Sequence, residues 1–194
     1  SAISPPESAS FFTESQFKGF TKQRPLRVLF LGQVMLRKGI QYLVEAAKLM
    51  RDCPVVFDIV GPTHISEKAM KSAPPSVFFH GRSMRDDVAQ WYLNAHVFLL
   101  PTLSDGFAIT QLEAMAYGLP VIATPNCGAV VSDGLDGFLV PARSPQCIAA
   151  AIRKYIESPQ ILKDHHRFAL EKVKMFSLNR LCSSLIEIEA AIRV

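Results

Sequence analysis

The stretch "AHVFLLPTLSDGFAITQLEAMAYGLPVIAT", Ala95–Thr124, decides the fold class of this chain. It opens on an apolar run over 95–101 and breaks at Pro101 into a polar loop. A short amphipathic segment follows, and a second apolar run closes it over 119–124. Short apolar runs without polar alternation read as strands buried on both faces. Such strands belong to parallel sheets whose crossovers are helices. The quoted stretch is therefore one strand–helix–strand unit.

The alternation continues in both directions. Toward the N-terminus, "LRVLFLG" (26–32) is a strand ending in Gly, and a helix over 39–51 follows with Ile40, Leu43, Val44, Ala47 and Met50 on one face. "VVFDIVG" (55–61) and "SVFFHG" (76–81) are the next strands. Ser83, with Asp86 three residues on, reads as a capping box for a helix that turns Val88, Trp91 and Tyr92 inward. Toward the C-terminus, "GFLVP" (137–141) is a sixth strand. Ser144 and Pro145 suit the Ncap and N1 positions of a helix whose inner face is Ile148, Ile152 and Ile156. This pattern predicts an α/β fold, a doubly wound parallel sheet of Rossmann-like type with right-handed crossovers.

Residues 26–158 form that domain. Residues 1–25, rich in Ser, Pro and Phe without a period, read as a linker or hinge carrying at most one short strand. Residues 159–194 read as C-terminal helices packing on the domain. There, Leu178, Leu181, Leu185, Ile188 and Ile192 form a stripe that covers the sheet or docks on a further domain. A chain of 194 residues, 49% hydrophobic and 20% charged, has an ordinary globular composition. The net charge of +4 comes without a Lys/Arg cluster, which argues against nucleic acid and suits a small anionic ligand. Cys53, Cys127, Cys147 and Cys182 lie far apart with no metal-ligand spacing, so they read as reduced thiols of a cytoplasmic protein. No apolar run has the length of a membrane span, and no signal peptide opens the chain. The first residue is not Met, as expected of a piece of something longer.

In a doubly wound sheet, ligands bind beyond the carboxyl ends of the strands. The loops after Gly32, Gly61, Gly81, Pro101 and Thr124 are therefore the places for chemistry. In the fourth of these, Asp105 and Glu113 flank a helix start. Counted at about 100° per residue from Ile109, Leu112 and Ala116 share its face and Glu113 falls inside the same stripe. A bare carboxylate turned toward a core costs several kcal/mol and needs partners. Hydroxyls of a ligand would supply them. So would a capping box with Thr110, while Asp105-Gly106 also reads as a simple turn. The N–H groups of Gly106, Phe107 and Ala108 would point out of the first helical turn, where an anion is favoured. Hydroxyl acceptors on either side of an anion site match the ribose, diphosphate and sugar of a nucleotide-sugar. At the first loop, Arg37 and Lys38 precede a helix whose dipole opposes them unless an anion binds there. The alternative is a solvated basic loop. Neither Gly-x-Gly-x-x-Gly nor a Walker loop occurs at this place. Of the histidines, His80 and His96 read as structural groups near strand ends, and His165 and His166 as solvated helix residues.

"FLGQVMLRKGIQYLVEAAKLM", "FDIVG", "VFFHG", "HVFLLPTLSDGFAITQLEAMAYGLPVIATPNCG" and "DGLDGFLVPA" together resemble the C-terminal, donor-binding half of GT-B glycosyltransferases, of the retaining family 4 or "group 1" type. The resemblance spans about residues 26–158. It implies a Glu-x7-Glu motif in which Glu113 accepts hydrogen bonds from the ribose and Asp105, one methylene shorter than the usual Glu, holds hydroxyls of the transferred sugar near the reacting face. Lys38 would meet the diphosphate and stabilise the leaving group, making Asp105 and Lys38 the catalytic pair. Gly32 would allow close approach of the phosphates, and the N–H groups of Gly106, Phe107 and Ala108 would serve the sugar or its phosphate. Arg82, after Gly81, would border the base. Gln33 stands where the family usually has Arg, so a second cation would come from Arg37 or from a partner domain. The Glu usual after the fifth strand is absent from "NCGAVVSDG".

No Asp-x-Asp occurs, consistent with the metal-independent mechanism that the resemblance implies, and no cofactor is expected beyond the nucleotide-diphosphate sugar donor. The resemblance further implies an N-terminal acceptor-binding domain that this chain lacks. Transfer of a hexose-type sugar would need both halves, and any association with a membrane surface would come through the missing half. Other readings are a different GT-B enzyme, such as a nucleotide-sugar epimerase or a phosphorylase, and a catalytically silent nucleotide-sugar binding module.

Overall fold

A computed structural model describes residues 19–174. Residues 1–18 of the expected linker over 1–25, and the apolar stripe from Leu178 to Ile192, lie outside the described residues. Six strands form one sheet: β1 (Leu26–Leu31), β2 (Val55–Val60), β3 (Val77–Gly81), β4 (Val97–Leu100), β5 (Val121–Ala123) and β6 (Gly137–Leu139). Every neighbouring pair is parallel, and the spatial order is β3-β2-β1-β4-β5-β6. The chain winds outward from β1 to β3, returns to the middle, and winds outward again from β4 to β6. The carboxyl ends of β1 and β4 therefore face each other across the switch point where ligands bind in such sheets.

Both faces of the sheet are covered, and the strands show why their sequences are apolar throughout. Along β1, Val28 and Phe30 face one core while Leu29 faces the other. The first core contains Ile40 and Leu43 of α1 (Ile40–Leu49) and Ile148 and Ile152 of α5 (Pro145–Glu157). Against it also packs the chain around α2 (Glu67–Lys71), a one-turn helix not anticipated from the sequence, through Ile65 and Ala73. The second core holds Tyr92 of α3 (Val88–Asn94), Leu112 and Met115 of α4 (Ile109–Ala116), and Ala169 and Val173 of α6 (Pro159–Lys174).

Several local expectations change. The buried face of α1 uses Ala46 where Val44 was expected. Ser83 does not cap a helix. A single 3-10 turn, Arg85–Asp87, leads into α3, and the Ser83 hydroxyl accepts from the Trp91 indole N–H at 3.1 Å. Ser144 does cap α5, accepting from Cys147 N–H at 3.3 Å with Pro145 behind it.

His165 and His166 are not solvated. α6 packs against both α4 and α5, and His165 is buried between the Tyr155 hydroxyl at 2.9 Å and the Gly134 carbonyl at 3.1 Å. The Nδ1 of His166 lies 2.6 Å from the Gly118 carbonyl. Burial lowers the pKa of both rings.

Candidate functional site

The loops after β1 and β4 meet because Gly39 has no side chain. At φ 77°, it lies so close to Pro101 that a Cβ there would stand 1.8 Å from the Pro101 carbonyl oxygen. That approach places the 3-10 turn Leu36–Lys38 against the loop after β4. Leu103 N–H and the Thr102 hydroxyl both donate to the Arg37 carbonyl, at 2.9 and 3.2 Å. The Thr124 hydroxyl, at the end of β5, donates to the Thr102 carbonyl at 2.6 Å, and Asp105 N–H donates to the Asn126 carbonyl at 2.8 Å. The loop carrying Asp105 is thus clamped between the first and fifth loops.

A cavity of about 350 Å³ opens at this junction. Gly32, Gln33, Lys38, Asp105, Phe107 and Ala108 all line it, with Arg37, Ile109 and Thr110. Lys38 Nζ donates to Asp105 Oδ2, and both side chains are largely shielded, at 17% and 18% exposure. Arg37 donates to the Ser104 carbonyl at 3.1 Å. A Cβ built on Gly32, whose φ is 151°, would meet nothing within 4 Å, so the backbone there borders open space.

The start of α4 differs from the expectation in one respect. Ala108 is the Ncap residue, and its N–H donates to the Cys127 carbonyl at 3.2 Å, so it is not offered to the cavity. The open donors are one step further on. Ile109 and Thr110 are the first helical residues, their N–H groups have no carbonyl one turn back, and both line the cavity. Ile109 is 51% exposed and does not belong to the core stripe drawn from it. Gly106 is exposed beside the cavity and is not part of its wall. Beneath the loop, Cys127 is buried with its thiol 3.1 Å from the Thr124 carbonyl. Burial, reinforced by the Asp105 charge, pushes that thiol up to about 11, so it is no nucleophile.

Glu113 does not fold back on Thr110. No side chain caps α4, and the Glu113 carboxylate instead accepts from the Tyr92 hydroxyl at 3.0 Å. It is half-buried and stands one turn beyond Ile109 on the same helix face. Burial, with the nearby Glu113 charge, raises the Tyr92 pKa far above its ordinary value, so this phenol stays a donor.

Arg82 is not at the first cavity. It lines a second one, of about 400 Å³, with His80, Ser83 and Trp91. His80 rests on the Trp91 ring at 4.4 Å between centroids and lies 2.8 Å from Asp58, a buried carboxylate also paired with Arg27 at 2.7 Å. On α3, Trp91 borders the second cavity and its neighbour Tyr92 reaches Glu113, which lines neither of the two. Among the described residues, no group of three or more His, Cys, Asp or Glu side chains could hold a metal ion. Among the same residues, no helix is long and apolar enough to cross a membrane.

A family model described as glycosyl transferases group 1 matches residues 25–158. The chain belongs to this family. Its α/β domain is of the kind that forms the C-terminal domain of GT-B group 1 glycosyltransferases. D-inositol 3-phosphate glycosyltransferase of Paenarthrobacter aurescens (strain TC1) is 28% identical over an alignment 199 positions long, covering 92% of this chain and 47% of that protein. The chain thus spans about half the length of that curated relative. The pneumococcal O-GlcNAc transferase GtfA, solved with UDP and GlcNAc, superposes with a TM-score of 0.75 at 20% identity, covering 96% of this chain and 38% of GtfA. The C-terminal domain of the glycosyl transferase group 1 protein LpcC from Francisella tularensis superposes at 0.73 with 19% identity, covering 91% and 97% of the two chains.

Proposed function

We propose that this group 1 chain is the donor-binding half of a retaining, metal-independent glycosyltransferase that moves a hexose-type sugar from a nucleotide-diphosphate sugar. The acceptor would be held by a further domain. The observation that carries this reading is the convergence of Lys38, Asp105 and the open N–H groups of α4 on one cavity at the switch point. In use, the donor diphosphate takes the place of Asp105 at Lys38. Arg37 supplies the second cation that Gln33 does not, and the N–H groups of Ile109 and Thr110 face the phosphate oxygens. Asp105, released from Lys38, accepts hydroxyls of the sugar, and Glu113 accepts those of the ribose. When the bond from the anomeric carbon to the diphosphate breaks, its electron pair goes to the phosphate oxygen. The added charge grows beside the two cations and the helix start, without a metal.

UDP is the first nucleotide to test, because GtfA was solved with it. The three free thiols of the described residues fit the reducing cytoplasmic setting included in this reading. Titration calorimetry of the chain against UDP-, GDP- and ADP-sugars should find one that binds, with binding lost in Glu113→Ala. Absence of binding by all three rejects the reading. Gln33 and the shortened Asp105 favour one alternative, a silent nucleotide-sugar module. Sugar transfer by the full-length protein separates the two, and the isolated chain should bind donor without transferring.

A further inference from the structure

We propose that Tyr92 is a positioning residue that aims Glu113 at the ribose, so that the preference for a ribonucleotide depends on a phenol that touches no substrate. The proposal rests on the donor reading above and goes one step beyond it. The Tyr92 hydroxyl donates to one carboxylate oxygen of Glu113, Oε2, at 3.0 Å. Among the described residues, the other oxygen, Oε1, accepts from no protein donor, so it is available to a ligand hydroxyl. A carboxylate pinned through one oxygen presents the other in a fixed direction.

Tyr92 is itself held firmly. Its side chain is buried at 2% exposure. Its ring stacks on Tyr117 at 5.1 Å with 15° between planes, and it leans on Phe98 of β4 at 6.0 Å. The preceding residue, Trp91, is anchored by the Ser83 hydroxyl. The phenol therefore cannot follow Glu113 if the carboxylate turns. Without the phenol, Glu113 is free to rotate its open oxygen away from the ribose into water.

The test compares UDP with 2′,3′-dideoxy-UDP on the chain by titration calorimetry. Tyr92→Phe keeps the ring stack and removes only the hydroxyl. It should weaken UDP on the order of tenfold, as expected for a lost hydrogen bond to a charged group, and weaken the dideoxy analogue less than about twofold. Adding Tyr92→Phe to Glu113→Gln should change nothing further, because the phenol acts through Glu113. Equal losses for both nucleotides would mark Tyr92 as merely structural and overturn the proposal. If Glu113→Gln leaves the preference for UDP intact, or if the unmutated chain shows no such preference, the ribose reading itself fails and takes the proposal with it. If Glu113→Gln abolishes the preference while Tyr92→Phe preserves it, only the role of Tyr92 is rejected. A crystal structure of the unmutated chain with UDP gives an answer independent of how variants fold. The Tyr92–Glu113 bond should persist with Oε1 on a ribose hydroxyl, and a broken bond in that complex overturns the proposal.

Discussion

Lys38 and Asp105 neutralise each other in the ligand-free chain, and that pairing sets opposite expectations for the two residues. Lys38→Ala removes the cation that meets the diphosphate. It should weaken UDP by on the order of 10- to 100-fold and uridine by less than about twofold, the range expected for charge-assisted hydrogen bonds. Equal loss for both ligands in calorimetry would contradict the assignment. Asp105→Asn frees Lys38 and removes a negative charge from the phosphate site. UDP should bind roughly three- to tenfold tighter, since the pair is shielded but not fully buried, while the advantage of a UDP-sugar over UDP should shrink. Weaker UDP binding by the variant would show that Asp105 does not compete for Lys38. Lys38 was legible in the sequence because a cation at a helix N-terminus is locally unfavourable without a ligand, whereas Asp105, which a turn explains equally well, stood out only through the family resemblance. Tyr92 was readable only as an inward-facing aromatic. Its partner lies 21 residues away, and nothing local announces a hydrogen bond made between two helices. The donor role given to Ala108 failed for a similar reason, because its N–H is taken by a carbonyl from the loop after β5.

At the scale of elements, periodicity located all six strands and five of the six α-helices of the described residues. It erred where packing departs from a single face. The one-turn helix α2 is too short to show a period. The solvated reading of His165 and His166 missed that α6 touches both α4 and α5, so more than one side of it is covered. The junction of elements most exposed to mutation is the start of α1. Gly39 combines a left-handed backbone with a contact to Pro101 that admits no Cβ. Gly39→Ala should therefore cost at least about 3 kcal/mol through backbone strain and overpacking together. Relief would require the Leu36–Lys38 turn to move away from the loop after β4, separating Lys38 from Asp105. Denaturant unfolding should show the loss of stability, and UDP affinity should fall even where the variant remains folded. Wild-type affinity in a folded Gly39→Ala chain would refute the coupling of this contact to the site.

For the whole molecule, alternation of strands and helices was enough to predict a parallel sheet, but not which two loops would become neighbours. That follows from the winding reversal between β1 and β4, which sets the first and fourth loops together. The same central pair of strands makes the fold sensitive to acid. His96, just before β4, accepts the Arg27 N–H of β1 on its Nδ1 at 3.0 Å and returns its own N–H to the Arg27 carbonyl at 2.9 Å. Burial first, then the charges of Arg27 and Arg24, lower its pKa to about 4. An unfolded histidine titrates near 6.5, so below that pH the unfolded chain takes up a proton that the folded chain refuses. The stabilisation is complete above pH 6.5 and is lost as the pH falls from 6.5 toward 4. Between pH 7 and pH 5 this ring alone should remove about 2 kcal/mol, and burial acts in the same direction on His165 and His166. Urea unfolding at the two pH values measures the loss. His96→Asn keeps an acceptor for Arg27 but cannot titrate, so it should reduce the acid-dependent loss by about that amount while being less stable than wild type at pH 7. An unchanged difference between pH 7 and pH 5 in the variant would mean that the acid sensitivity resides in other groups than the ring joining β1 to β4.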